Sequence, residues 1–530
     1  GIGLASILIA LFEKKNKALR VTGITLIAIA ILFVLTLGAF KQASFIKKSD
    51  MLSRFAELVT FDVKGVISNQ GKARSLLWGI AWEGVKDKPV LGWGLENFHY
   101  VFAKHYTPAM SQQEHWFDRS HNVFMDWLVG TGFVGLISYL GLFGASGYVL
   151  WRKREEDMQV PGAMSIAERA VLSGGLIAYL GHNIFVFDNL TSYVLFFATL
   201  AFLHQYAVRG QVATLDQDKL KNRFREWSAV EVTTVLILIA TSLVYVLYVV
   251  NVRPIQANAE LIGSLRAQKL DVKQNRAVAV GAMERFDHLK VSIALGTMTN
   301  AEQIEQLAER GSDVFNTQTL TTQERFEAHQ YVITKYEEAI KRTPTDPRPI
   351  FFYAIYLVRI GAFDQAEKIS AQAMALSPDK IPFLNFHTSI LTQLGKKAEA
   401  LTYAQKAYTL APINEESYRI YISALGQNGN FDEAENIAGT QITKYLSDWN
   451  VIKTYVDAKQ SARIIALLKK QIAIEPQILD LRSSLAAAYA KSGNTTAAIQ
   501  VLEEVKRIAP QYASQVDQSI QQVKSGQLFK

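Results

Sequence analysis

The chain has 530 residues, is 49% hydrophobic, lacks cysteine and carries a formal charge of +8. Without cysteine there is no disulfide, thiol nucleophile or thiolate metal site. Long uncharged runs crowd residues 1–250 while 251–530 mix charged and apolar residues, a pattern that excludes a disordered chain and an ordinary soluble enzyme and points to a membrane half followed by a soluble half. Much of the Lys and Arg lies in short clusters beside apolar runs, so membrane topology rather than nucleic acid explains the positive balance.

The chain opens on "GIGLASILIALF", apolar but too short to cross a bilayer and without the basic residues that precede a signal-peptide core. It is expected to be the end of a sixth helix, the sequence being a fragment truncated at its N-terminus. The runs 21–40, 127–151, 170–187, 189–208 and 232–252 each approach or exceed the ~18–20 residues of a spanning helix, which predicts five complete crossings. The connections "EKKNKALR" (13–20), "WRKREED" (151–157) and "KLKNRFREW" (219–227) are basic, whereas "FDNLTS" (187–192) holds no Lys or Arg. All three basic connections fall on one side of the alternating helices, which is therefore the cytoplasmic side. The loop 41–120, the turn near Asp188 and everything after about residue 252 are expected to face outward.

Within that loop Arg74, Trp78 and Trp82 recur every four residues, so a helix would place them on one face, with two indoles suited to the headgroup region. Pro89 should stop this helix, and Gly92 and Gly94 permit a tight turn that returns "LENF" to the bilayer. Next, "HWFDRSHN" (115–122) sets Asp118, Arg119, His121 and Asn122 at the mouth of an apolar, Gly-rich run.

Past the last span, residues 253–340 read as a helical stalk or divergent repeats, with Leu261, Leu265, Leu270 and Val272 at mixed three and four spacing. Over 341–525 "YLVRIGAFDQAEKISAQAMALSP" and "ILTQLGKKAEALTYAQKAYTLAP" align Gly361 with Gly395, and Gly429 comes at the same step of 34. Ala366, Ala400 and Ala434 keep it, as do Pro344, Pro378 and Pro412; Pro476, Gly493, Ala498 and Pro510 resume it. This is the tetratricopeptide pattern: paired helices, Gly at the turn, Ala where helices approach closely, Pro ending the second helix. It weakens around 440–460, where one degenerate unit is expected. The fold class is therefore all-α: a polytopic transmembrane bundle over 1–252 followed by an α-solenoid of tetratricopeptide repeats.

Arg-x3-Trp-x3-Trp, then "KPVLGWGLENF", then "SHN" at the start of a Gly-rich span resembles the O-antigen ligase and polymerase family, as does "GHNIFVFDN" (181–189). The resemblance covers about residues 1–250. It implies a membrane glycosyltransferase that takes a glycan from undecaprenyl diphosphate and attaches it to lipid A core or to protein, acting without metal or cofactor. It also implies an essential histidine, by motif position His121, and a loop arginine for the diphosphate, best matched by Arg74. A second family arginine, in a more N-terminal outward loop, has no counterpart in this sequence.

The residue types suit that chemistry. Arginine binds phosphate oxygens bidentately and stays charged, and a neutral imidazole accepts a proton near neutral pH. Arg119 would likewise hold the diphosphate or contact lipid phosphates. Asn122 would bind substrate, cap the following helix or orient His121. His182 and Asn183 read as intramembrane hydrogen-bonding groups, Asp188 as a carboxylate placed to orient a cation, and Asp126 as a partner for Arg119 or Arg74. No Walker loop, dinucleotide fingerprint or HExxH occurs, and the histidines have no metal-ligand spacing. The expected setting is the inner membrane, multi-pass, with the loop and the repeats outside the cytoplasm and a protein partner in the repeat groove. The alternatives are a polysaccharide polymerase sharing the donor site, and a non-catalytic scaffold whose spans only anchor the repeats.

Overall fold

A computed structural model describes residues 1–14, 16–40, 42–47, 49, 72–152, 164–214, 227–271, 276–297 and 300–526. Much of the loop 41–120 ahead of Lys72, most of the basic connections 151–157 and 219–227, and Val272 lie outside the described residues. The chain divides into two units, Gly1–Ile255 and Gln256–Lys530. Both are helical. Among the described residues the strands are one antiparallel pair, Gln268–Asp271 with Arg276–Ala279, in which Leu270 faces Ala277. Leu270 therefore does not continue the helix that carries Leu261. That helix ends at Leu265, and the period-two alternation of "AVAV" (277–280) suits a strand.

In the first unit, helix α1 (Ile2–Phe12) packs against α2 (Lys17–Ala39). Helix α3 spans Lys72–Asp87 and α4 spans Phe98–Lys104. Helix α5 runs Val123–Trp151, α6 Ile166–His182 and α7 Leu190–Thr214. Helix α8 (Ala229–Leu247) ends in a π turn, Tyr248–Val252, and the following α9 (Arg253–Leu265) lies mostly in the second unit. Capping boxes start two of them: Ser165 with Glu168 opens α6, and Ser228 with Glu231 opens α8.

Among the described residues four helices are long and apolar enough to cross a membrane: Lys17–Ala39, Val123–Trp151, Leu190–Val208 and Ala229–Leu265. The run 170–187 differs from its sequence reading. Helix α6 ends at His182 after 17 residues, about 26 Å, and "NIFVFDN" (183–189) forms a turn into α7. The helix stops because Asn183 is claimed by α5: its amide donates to the Tyr139 hydroxyl at 3.0 Å, and its carbonyl accepts from Val123 N at 2.9 Å. On α6 the small residues Ala170, Gly174 and Ala178 recur every four positions. Gly174 there packs so closely on α1 that a Cβ would lie 2.6 Å from Gly1 O and 3.1 Å from Ala5 Cβ.

Helix α5 is broken at Gly132, whose φ of 65° and ψ of −166° suit glycine alone. The 19 residues after the break extend about 28 Å, the thickness of a hydrocarbon core. The break leaves backbone groups open, and the segment Pro89–Gly94 closes them. Phe133 N donates to Pro89 O at 2.8 Å, Trp93 N to Val129 O at 2.7 Å, and Gly94 N to Gly130 O at 2.8 Å. Such pairing is what apolar surroundings require of an interrupted helix. Side chains have no room: a Cβ on Gly92 would sit 2.5 Å from Val129 O, and one on Gly132 would run into Val90 O.

In the second unit, α10 (Ala282–Ala294), α11 (Asn300–Asn316) and α12 (Thr322–Arg342) share one core with α13 (Pro347–Arg359), through Phe286, Leu289, Val314, Val332, Tyr356 and Leu357. Paired helices come next: α13 with α14 (Phe363–Leu376), α15 (Ile381–Gln393) with α16 (Lys397–Leu410), and α17 (Glu415–Gln427) with α18 (Phe431–Ala438). After the short α19 (Ile442–Leu446) come α20 (Trp449–Asp457) with α21 (Ser461–Ile474), α22 (Leu479–Lys491) with α23 (Thr495–Ile508), and α24 (Ala513–Lys524). Gly361, Gly395, Gly429 and Gly493 have φ between 73° and 87°. At each, the next residue's N–H reaches back to a carbonyl of the first helix, as Ala362 N does to Leu357 O at 2.8 Å. Ala366, Ala400, Ala434 and Ala498 are fully buried.

The weak stretch at 440–460 is an intact turn in altered sequence. Gly439, at φ 41°, cuts the second helix of its pair short, and Lys459 adopts φ 59° where the other turns have glycine. Gln460 N still donates to Tyr455 O at 2.7 Å. Ile464, fully buried, takes the place of the alanine.

These turns generate two stability predictions, both read by thermal unfolding of the detergent-solubilised protein. Gly132→Ala should destabilise by about 2 kcal/mol or more, because it forces a side chain into a glycine-only conformation against Val90 O; Gly141→Ala, in the same helix with nothing within 4 Å of its Cβ position, should not. Lys459→Gly should stabilise by about 1 kcal/mol by relieving the left-handed backbone, and an unchanged melting temperature would show that no strain resides there.

Candidate functional site

Helix α3 buries Leu77, Ile80, Ala81 and Val85 against Phe98, Val101 and Phe102 of α4 and Leu128 and Val129 of α5. Trp93 ties the loop to it by donating from Nε1 to Gly84 O at 2.8 Å. Arg74 and Trp78 lie on the flank of this buried face and are half-buried, whereas Trp82 is exposed. Trp78 packs beside Phe185 at 6.5 Å between ring centroids. Its Nε1 is shielded from solvent with no hydrogen-bond partner among the described residues. Arg74 has no ion-pair partner among the described residues.

His121 sits in a clamp made by its neighbours. On one side Ser120, fully buried, donates its N–H at 2.9 Å and its hydroxyl at 2.7 Å to Asp126 Oδ1. On the other, Asn122 Oδ1 accepts from Phe124 N and Met125 N, capping α5. Pinned at both ends, His121 holds φ at 57°, a conformation uncommon for a non-glycine residue and found where surroundings over-determine it. Its imidazole packs edge-on to Phe117 at 6.1 Å and beside Phe187 at 5.5 Å. Burial pushes its pKa below the ordinary 6.5, and the nearby Arg74 charge pushes it further down, against smaller opposing effects of Asp126 and Glu114. The imidazole is therefore held neutral near neutral pH.

Arg119 approaches the same Phe187 ring, its guanidinium carbon 5.5 Å from the centroid. It donates to both carboxylate oxygens of Glu96, at 2.8 and 2.9 Å. Glu96, at φ 62°, comes just after the loop that plugs the broken helix. Of the residues singled out from sequence, the fold thus brings Arg74 and His121 within electrostatic reach, sets Arg119 beside them already neutralised, and uses Asn122 as a helix cap.

Below this rim lies a network that sequence reading did not assemble. The Tyr179 hydroxyl donates to Asp188 Oδ1 at 2.5 Å and Ser192 Oγ to the same oxygen at 3.1 Å, while Asn183 bonds Tyr139. Asp126 meets Ser120 rather than the arginine expected for it. Ser120 and Glu96 carried no signal of their own, since their roles depend on backbone conformation that residue types do not disclose.

Residues 1–140 match the model of a family described as O-antigen ligase. No curated protein matches the chain. Among solved structures it is similar to a tetratricopeptide repeat protein from Parabacteroides merdae, at 14% identity over 51% of this chain and 99% of that one, with a TM-score of 0.32. It is also similar to YrrB, described as a TPR protein with an unusual peptide-binding site, at 14% identity over 33% and 92% of the two chains and a TM-score of 0.22. The TPR domain of P58(IPK) matches at 15% identity over 62% and 93%, with a TM-score of 0.18. The chain joins a membrane region similar to the O-antigen ligase family, over residues 1–140, to a helical array on the tetratricopeptide plan laid out by its 34-residue step and left-handed turns.

Proposed function

We propose that the protein transfers a glycan from undecaprenyl diphosphate to a hydroxyl acceptor, on lipid A core or on a protein, at the outer face of the cytoplasmic membrane. The loop and the repeats then lie on the extracytoplasmic side. His121 is the general base: its neutral imidazole takes the acceptor proton as the acceptor oxygen attacks the anomeric carbon. The bond from that carbon to the diphosphate breaks, and the charge left on the leaving group is met by Arg74. Arg119 is a second cation for the diphosphate once its oxygens displace Glu96. The observation that carries this reading is the juxtaposition of an arginine without an ion-pair partner among the described residues and a histidine held neutral.

The repeats recruit the acceptor or a partner protein. A polar groove of about 300 Å3 between their first helices, lined by Thr392, Gln393, Arg419, Gln427 and Asn450, suits an extended polypeptide. Its hydroxyl and amide side chains match backbone donors and acceptors.

His121→Asn keeps a residue that tolerates left-handed backbone and removes the base. Glycan transfer should fall by about 10²-fold or more with the melting temperature little changed, and retained transfer would refute the base assignment in favour of a membrane-anchored scaffold. The imidazole of His121 should titrate below its ordinary 6.5, so transfer should be lost only as pH falls through that lowered value. Arg74→Ala removes a positive charge that opposes the imidazolium and should raise the titration point, measured by NMR. No upward shift would separate Arg74 from the site.

A further inference from the structure

A cavity of about 160 Å3 opens beside this site, lined by Asp118, Asp126, Asp188, Trp127 and Tyr193. Asp188 is 7% exposed, at the turn between α6 and α7. Its Oδ1 is saturated by Tyr179 and Ser192. Its Oδ2 is buried and has no hydrogen-bond partner among the described residues. A buried carboxylate oxygen left without a donor is costly, and an ionisable group kept in a membrane bundle at that cost marks a functional position.

The lining defines what donor is missing. The carboxylates of Asp118, Asp126 and Asp188 are hydrogen-bond acceptors when ionised. Arg119, the cation at the wall, is already bound by Glu96. The ligand must therefore bring several donors of its own. Among the described residues no three acidic or imidazole side chains converge as metal ligands, so the lining is not arranged around an ion. Trp127 and Tyr193 add flat apolar surface with polar edges. Carboxylates around an aromatic wall suit a ligand with donor groups on its rim and C–H groups on its faces.

We propose that this cavity is a subsite for one sugar ring, whose hydroxyl or amino group draws the buried Asp188 Oδ2 to the cavity wall and donates to it. It rests on the reading of the region as a glycosyltransferase and adds to it the place where the glycan is recognised. Phe187 joins the two sites: it precedes Asp188 in the chain and packs against both the His121 ring and the Arg119 guanidinium. A ring seated on Asp188 is thereby held next to the proposed base without touching it.

The test is saturation-transfer NMR of the detergent-solubilised full chain with free glucose, glucosamine and N-acetylglucosamine. The wild-type protein should transfer saturation to at least one of them. A preference for glucosamine assigns the donor as an amino group, and a preference for the other two assigns a hydroxyl. Asp188→Asn turns the free acceptor into a donor while leaving an oxygen for Tyr179 and Ser192, and should weaken binding about tenfold or more. Leu95→Trp, at an exposed lining position, should block the cavity and give the same loss whatever happens to the fold of the Asp188 variant. Absence of binding to all three sugars by the wild type, or undiminished binding by Leu95→Trp or by a folded Asp188→Asn, overturns the assignment. His121→Asn should bind sugar as the wild type does. If that variant still transfers glycan while Asp188→Asn has lost sugar binding, the base assignment fails and the subsite stands.

Discussion

The first unit depends on one act of backbone substitution. Helix α5 is interrupted at Gly132, and an interrupted helix inside an apolar bundle leaves amides and carbonyls that lipid cannot satisfy. The segment Pro89–Gly94 supplies the missing partners, pairing with Val129, Gly130 and Phe133 through main-chain atoms alone. Two glycines make the approach possible, one on each side, at 92 and 132. Part of the candidate site is hung from this junction. Glu96 lies just beyond the plug, Asp126 precedes the break by less than two turns, and the clamp on His121 is built from the first turn of the same helix.

Electrostatics then divides labour among residues that look alike in sequence. Arg74 and Arg119 are both arginines ahead of the apolar helix α5, yet one donates from Nη2 to both oxygens of Glu96 and the other meets no carboxylate among the described residues. Asp126 and Asp188 are both carboxylates at the ends of apolar helices. Asp126 takes up Ser120 and so shapes the backbone at His121, whereas Asp188, at the wall of a cavity, keeps a buried oxygen uncommitted. Strained backbone at Glu96 and His121 is consistent with a site whose geometry is held by its surroundings rather than by local preference.

The second unit is governed by a simpler rule. A tetratricopeptide turn needs one left-handed residue and one small side chain just beyond it, and the chain supplies Gly and Ala at both places four times. At the fifth turn Lys459 and Ile464 stand in, and the hydrogen bond across the turn is kept. Neighbouring helix pairs therefore over-determine a turn that the local sequence disfavours.

By itself the sequence determined the features that composition and period control. Apolar runs placed the long membrane helices and a step of 34 placed the paired helices, because hydrophobic spacing and turn glycines act locally. Apolar spacing alone extends the helix past Leu265 and makes 183–187 part of a span, because it is blind to the two-residue period of "AVAV" and to the pull of Tyr139 on Asn183. Only tertiary structure decided which arginine is neutralised, that Asn122 is spent on a cap, that Ser120 rather than an arginine meets Asp126, and that Asp188 retains an uncommitted acceptor. These outcomes turn on hydrogen bonds between residues up to 23 positions apart, and on left-handed backbone at Glu96 and His121 that no residue type announces.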